Sequence, residues 1–414
     1  MAAAAVAVAT AATLALAAAF LPTTHATATG GTGGTDGTTM STWCENGSGA
    51  KTPPVKAGAH RPVRSQPSRK PTDEVYMPWL LEQRAHAKHP ASGKAAKPAG
   101  TAADPSVVEL VPEGQGDVPW HRYTSFAITN ALTAKIDYST GDLMLTARDD
   151  DLAGDGRHLR LARTYNSLEA PFGRVAQRWW LQYERYLSVS GGEVIFYDAS
   201  GATVRFDKNS DGSFTTPRGY AQKLKKNPDG TYTLKGKSGS KETYDADGTL
   251  TKVTDRGHGT ITVTQNAKGG FRLTDTRSGH WIALTKVDDR LWQAKDNAGR
   301  TVRYGLDAHG DIDRTTDTEG RTTRFSYDSS GRVSRISTGK GRVTVFTYDD
   351  VNRVTSMLCG TGSHGGAPTG PIWTYTYTSD SATAAGTTTA VDPRLHATKY
   401  AHDADGRIGH RPGR

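Results

Sequence analysis

The sequence predicts an all-β chain built from hairpins that repeat at a fixed period. Two motifs alternate between Asp296 and Val354. Gly-Arg recurs at Gly299-Arg300, Gly320-Arg321 and Gly341-Arg342, and Asp-x-x-Gly (or Asn) recurs at Asp307, Asp328 and Asp349, both 21 residues apart. The runs between them, such as Thr322–Tyr327 and Arg342–Tyr348, alternate apolar with polar residues as half-buried strands do. The chain is rich in Gly, 46 of its 414 residues, and poor in helix-forming stretches. A period near 20 residues marks a repeat architecture, in which each unit buries its face only against its neighbours.

The letters of one unit explain its shape. Tyr327-Asp328-x-x-Gly331-x-Val333 and Tyr348-Asp349-x-x-Asn352-x-Val354 read as strand, tight turn, return strand. The Asp caps its own backbone, and Gly or Asn accepts positive φ. Asp307 with Gly310 is an earlier copy, and Tyr400, Asp403 and Gly406 a later one. At the Gly-Arg turns, Asp296 precedes Gly299, Asp317 precedes Gly320, and Tyr304 ends the strand after Arg300. The tyrosines and arginines admit two readings, a ligand-binding ladder or packing on a sheet face. Their recurrence in every unit favours packing, because a site usually breaks a repeat.

This pattern resembles the YD repeat of RHS (rearrangement hot spot) proteins and their teneurin relatives. The resemblance implies β-hairpins wound into a spiral shell, which in bacteria often encloses a C-terminal toxin. It covers residues 125–408. A self-cleaving aspartyl protease segment and a variable toxin follow the shell in toxin-bearing members, and neither is visible in this sequence.

Residues 1–28 are Ala-rich and nearly uncharged, with Pro22 after the apolar run and Ala26-Thr27-Ala28 as a cleavage candidate. They read as a signal peptide, or as a membrane anchor if uncleaved. Residues 29–116 read as a low-complexity linker. Its stretch 51–100 holds ten Lys or Arg against three Asp or Glu, a net +7, which suits a polyanionic surface. The remaining basic excess is dispersed and gives no nucleic-acid signal.

Residues 117–240 read as a β-rich domain preceding the repeats, and 241–408 as the repeats. Within the first, Ile136 to Ala147 forms a hairpin about Gly141, and Gly154-Asp155-Gly156 turns the chain into a strand ending Arg163-Thr-Tyr165-Asn166-Ser167. Together with Leu143, Trp179 and Trp180, these residues resemble the domain that precedes YD repeats in bacterial RHS proteins, to which no catalytic role attaches. The alternating aromatics from Trp179 to Leu187 read as core. Residues 409–414 abandon the pattern, as an aberrant or truncated end would. The array is too short to wrap a cavity.

Candidates for chemistry are weak. Asp207 to Gly212 copies half of a calcium loop, but Arg218 stands where a bidentate Glu belongs, and a turn explains the letters. Gly230 to Ser238 imitates a phosphate loop with the wrong glycine spacing and no strand-then-helix context. His86-x-x-His89 lacks further ligands. Asp149-Asp150-Asp151 reads as a solvated strand end. Cys44 and Cys359 are far apart and could pair in an exported protein.

The expected function is a non-enzymatic, exported scaffold with no cofactor, metal or catalytic residue. Its expected partner is a C-terminal toxin or effector segment, or an immunity protein. The alternative is a secreted adhesin binding a cell-surface glycan. Limited proteolysis should cut within 30–105 and leave a resistant fragment beginning near Asp117; uniform resistance would sink the linker assignment.

Overall fold

The computed structural model describes residues 114–153, 158–168, 173–190, 192–362, 366–382 and 384–409. The expected signal segment, the linker before Gly114, Cys44, the His86–His89 pair and residues 410–414 lie outside them. Every described element is a strand or a turn. Within each sheet, every strand pairs antiparallel with its neighbours in sequence.

Three sheets follow one another. The first, termed the inner sheet, runs β1 (Tyr123–Ala127), β2 (Leu132–Asp137), β3 (Leu143–Leu152), β4 (Leu159–Asn166) and β5 (Trp179–Leu181). The second holds β6 (Tyr186–Ser190), β7 (Glu193–Tyr197), β8 (Thr203–Lys208) and β9 (Phe214–Thr215).

The third is a meander of 17 strands. Its first part is β10 (Lys223–Lys226), β11 (Tyr232–Lys235), β12 (Lys241–Tyr244), β13 (Leu250–Thr254), β14 (Thr260–Gln265), β15 (Phe271–Asp275), β16 (Trp281–Asp288) and β17 (Leu291–Asp296). The regular repeats follow as β18 (Thr301–Leu306), β19 (Ile312–Thr316), β20 (Thr322–Tyr327), β21 (Val333–Thr338), β22 (Arg342–Tyr348) and β23 (Val354–Thr361). β24 (Ile372–Tyr377), β25 (Gly386–Val391) and β26 (Ala397–His402) complete it.

Most repeat turns are held by one carboxylate; the turn at Gly341, which opens with Thr338, has none. In the turn Asp328–Arg332, Gly331 N–H donates to the Asp328 carbonyl at 3.0 Å. Asp328 Oδ1 accepts the N–H groups of Ser330 at 3.0 Å and Arg332 at 2.9 Å, while Oδ2 takes Arg332 Nε at 2.7 Å. The turns at Asp317 and Asp349 repeat all of this. The fourth residue needs positive φ, met by Gly331 at +71° and by Asn352 at +69°.

The sequence pattern alone did not reveal a bulge in the return strand. Register passes from Ser326↔Arg335 to Tyr327↔Val333, leaving Ser334 extra. Asp313 and Thr355 are extra at the same point of the flanking hairpins. The bulge reverses side-chain alternation once, so Val333 and Ile336, three apart, both point inward, as do Val354 and Met357.

The long sheet curls about the inner sheet, and the two share one continuous core. Trp179 and Tyr183 lie in this core, and Trp180 and Tyr186 beside them are also buried, as the alternating aromatics predicted. The interior is filled by inner-sheet side chains. The ends of the curl approach each other across Trp120: Tyr220, just before β10, meets its ring edge-on at 5.2 Å, and Arg407, just after β26, lies over it at 4.2 Å. Among the described residues, strand pairing does not close the gap.

The φ requirement predicts two opposite effects. Gly331→Ala, where an added Cβ meets nothing, should cost about 1 kcal/mol from backbone strain alone. Leu395 occupies the glycine place at φ +66° and is 83% exposed. Leu395→Gly should therefore raise the urea midpoint, by the equivalent of roughly 0.5 kcal/mol after the entropy cost of glycine.

Candidate functional site

The side chains with chemical character gather where the repeats meet the inner sheet. At its centre Arg163, on β4, is buried and donates from Nη1 to Asp149 at 2.9 and 3.1 Å. Its guanidinium lies 4.7 Å from the Trp179 ring, 5.4 Å from Tyr304 and 5.9 Å from Phe325. Tyr304 donates its hydroxyl to Asp149 Oδ2 at 2.9 Å. Burial raises the Asp149 carboxyl, against the opposing pull of Arg163 and Tyr304. Beside it, Arg300 bridges Asp296 at 2.6 Å and Asp150 at 2.9 Å. The reading of Asp149-Asp150-Asp151 as a solvated strand end is thus wrong for its first two members. A bulge in β3 between Arg148 and Asp150 lets both reach partners, and Arg300 and Tyr304 are about 150 residues away in sequence. Asp151 does face outward, towards His158 and Arg160.

The tyrosines of the repeat form a ladder. Tyr327 donates to the Ile312 carbonyl at 2.9 Å, Tyr348 to Val333 at 2.6 Å, and Tyr377 to Val354 at 2.7 Å. Each reaches the first residue of a bulged return strand. Burial, reinforced by nearby carboxylates and phenols, pushes all three hydroxyls well above their usual value, so they remain donors. Arginine supplies the other rung. Arg332 lies over Tyr348 at 4.6 Å and donates to the Asp349 carbonyl at 2.7 Å, and Arg353 does the same to Tyr377 and Ser379 at 4.5 and 2.8 Å. One guanidinium therefore closes its own turn and holds the next unit.

The remaining motif residues are placed as follows. Gly299, Gly310, Gly320, Gly341 and Gly406 all take positive φ at turns. Asp307 Oδ1 accepts the Asp311 N–H at 3.0 Å. Arg321 is exposed and contacts Asp317 and Glu319. Arg342 is half-buried opposite Thr361. Tyr400 stacks on Tyr138, just after β2, at 3.9 Å, and Asp403 caps the turn that carries Arg407.

Sequence reasoning noted Arg163, Tyr165, Asn166 and Ser167 without giving them a task; the first, second and fourth dock the inner sheet to the array. The Tyr165 hydroxyl accepts the Val333 N–H at 2.9 Å. Ser167 Oγ donates to the Asn352 carbonyl at 3.1 Å. Asn166 instead ties β4 to the Ser200 carbonyl of the second sheet at 2.8 Å. Gly141 explains itself in the same way. A Cβ there would sit 2.4 Å from Arg353 Cβ, at φ +70°.

At the far end, His121 Nδ1 lies 2.6 Å from Asp137 Oδ2, and its Nε2 lies 3.1 Å from the Asp405 carbonyl. Trp120 Nε1 donates to that same carbonyl at 2.7 Å. Burial works against the imidazolium, but the hydrogen bond and charge of Asp137 and the Asp405 carbonyl outweigh it and raise His121 above 6.5.

The weaker candidates find structural tasks. Asp211 spends Oδ1 on the N–H and hydroxyl of Ser213. Cys359 is buried on β23. Among the described residues, no group of His, Cys, Asp and Glu is arranged to hold a metal ion.

Comparison with known proteins agrees with this geometry. A family model described as RHS Repeat matches residues 307–343 and again 327–364. Residues 307–364 are thus RHS repeats. A second model, described as a domain of unknown function (DUF6531), matches residues 133–206, which include β3, β4 and the docking residues. Three relatives are each 28% identical over 168 residues, or 39% of this chain. They are the tRNA nuclease WapA of Bacillus subtilis (strain 168), the tRNA(Glu)-specific nuclease WapA of Bacillus subtilis subsp. natto (strain BEST195) and the tRNA3(Ser)-specific nuclease WapA of Bacillus spizizenii. This chain matches 7% of the length of each. Among solved structures, BamB from Moraxella catarrhalis aligns over 66% of this chain and 82% of its own at 16% identity, with a TM-score of 0.11, too low to indicate a common fold.

Asp149→Asn should destabilise the fold by about 3 kcal/mol, because it strands a buried guanidinium. Tyr165→Phe should cost about 1–2 kcal/mol through the orphaned Val333 N–H. Urea denaturation measures both. His121, raised on folding, contributes fully below 6.5, and that contribution is lost as pH rises through its folded value. The melting-temperature gap between wild type and His121→Gln should therefore be widest in mild acid and narrow towards alkaline pH.

Proposed function

We propose that this chain is the founding part of an exported RHS shell, a non-enzymatic scaffold that in a longer protein would encase or present a C-terminal toxin. One observation carries the reading: the charged and phenolic side chains at the junction of repeats and inner sheet are spent on holding the array to that sheet. Residues 117–240 found the scaffold on this reading and 241–408 carry its repeats, with pairing continuous across the junction. The names of the relatives support it. Two of them are named for different tRNAs, tRNA(Glu) and tRNA3(Ser), while the stretch matched by this chain is 28% identical in all three. A part common to nucleases of different specificity is their frame. The Ala-rich leader in the sequence supports export, and a downstream effector or an immunity protein would be the partner.

Purified chain incubated with total tRNA should leave it intact. Cleavage that survives Asp149→Asn and Tyr165→Phe would show an active centre outside the docking network and defeat the scaffold reading. Secretion should be abolished by deleting residues 1–28.

A further inference from the structure

Most five-residue turns of this chain share one device, although at Asn209 and Asn227 the aspartate at the third position takes the N–H of the fifth instead. A side-chain oxygen on the first residue accepts the N–H of the fifth, at 2.8 Å in the turns at Asp245, Asp255 and Asp403 and at 2.9 Å at Asn266. In most of them the same oxygen also accepts the N–H of the third residue, as at Asp245 and Asn266.

The turn Gly236–Ser240 between β11 and β12 has the same backbone. Gly236 N–H donates to the Ser240 carbonyl at 2.9 Å and Gly239 N–H to the Gly236 carbonyl at 3.0 Å, with Gly239 at φ +86°. Its first residue is glycine, so the acceptor is missing. The Ser238 and Ser240 N–H groups, third and fifth in the turn, have no acceptor among the described residues, and both residues reach solvent.

Four lysines surround this place. Lys235 and Lys241 flank the turn and face each other across the strands, and Lys223 on β10 faces Lys235. Lys237 stands in the turn itself. All four are exposed, and none has a carboxylate partner among the described residues. Like charges directly opposite on a sheet repel. Lysine on an edge strand guards against aggregation, which accounts for Lys223 on β10 but not for Lys235 and Lys241 inside the sheet.

We propose that this turn binds a phosphate group, one of whose oxygens takes the position of the missing carboxylate. Successive backbone N–H groups in a turn form an anion-binding concavity, and the lysines supply the countercharge. Phosphate suits the site better than a carboxylate because its additional oxygens can meet the lysines while one accepts the two N–H groups. The Gly-Lys-Ser letters here do not form a nucleotide loop, since they join two antiparallel strands.

The test uses the full chain, with inorganic phosphate as probe and sodium chloride at equal ionic strength as control. Phosphate should slow amide exchange at Ser238 and Ser240 at least tenfold, and chloride should not. Gly236→Asp supplies the missing acceptor internally. Gly236 lacks positive φ, and an added Cβ meets only the movable Ser240 hydroxyl within 3.5 Å. That variant should show slow exchange without phosphate and no further response to it, and Lys237→Gln should weaken the response of an otherwise unchanged fold. An equal response to chloride, or a phosphate response that persists in Gly236→Asp, would overturn the proposal.

Discussion

A 21-residue hairpin has one apolar face and nothing of its own to bury it against. Stacking neighbours extends the sheet but leaves the whole inner face still needing a cover. Here the cover is a five-stranded sheet made earlier in the same chain. Its aromatic side chains fill the concavity, and its polar ones meet whatever the array leaves unsatisfied. Arg163 shows how tightly the two are joined. A buried guanidinium is costly unless paired and hydrogen-bonded, and its setting combines Asp149 from the inner sheet with Tyr304 and Phe325 from the array.

Economy within the repeat follows from the same need. One aspartate satisfies two N–H groups and an arginine, and that arginine then reaches the next tyrosine and the next turn. The tyrosine in turn caps a carbonyl beside the bulge of the previous hairpin. Curvature, turn closure and contact between units thus depend on a few side chains, which is why these and not the strand residues carry the visible motif. Arg321 marks the limit of the scheme. It closes its own turn but, on the opposite rim and exposed, it forms ion pairs with Asp317 and Glu319 of that turn.

Local chemistry was legible in the sequence. Asp-x-x-Gly announced the turns, alternation announced the strands, and the fixed period announced an array. The bulge was also present in the letters, since Val333-x-x-Ile336 and Val354-x-x-Met357 break the two-residue rhythm of a strand, but spacing of that kind is easily taken for sloppy alternation. What could not be read was partnership across the fold. Asp149 and Asp150 look solvated because the residues that bury them lie some 150 positions away. Tyr165 and Ser167 look like ordinary strand-end residues until Val333 and Asn352 are brought beside them. Contacts of this range follow from the curl of the long sheet, and no short motif encodes that.

The position of Trp120 has a consequence for how such chains can vary. Its ring touches residues from both ends of the curl, Tyr220 and Arg407, while its indole N–H and His121 both address the Asp405 carbonyl. One repeat contributes two strands, or about 10 Å along the sheet. Gain or loss of a single unit would carry Asp405 well out of reach of both side chains. The segment therefore works as a gauge: it fits one circumference, and it sets against the ease with which tandem repeats expand or contract a requirement that this curl keep its count.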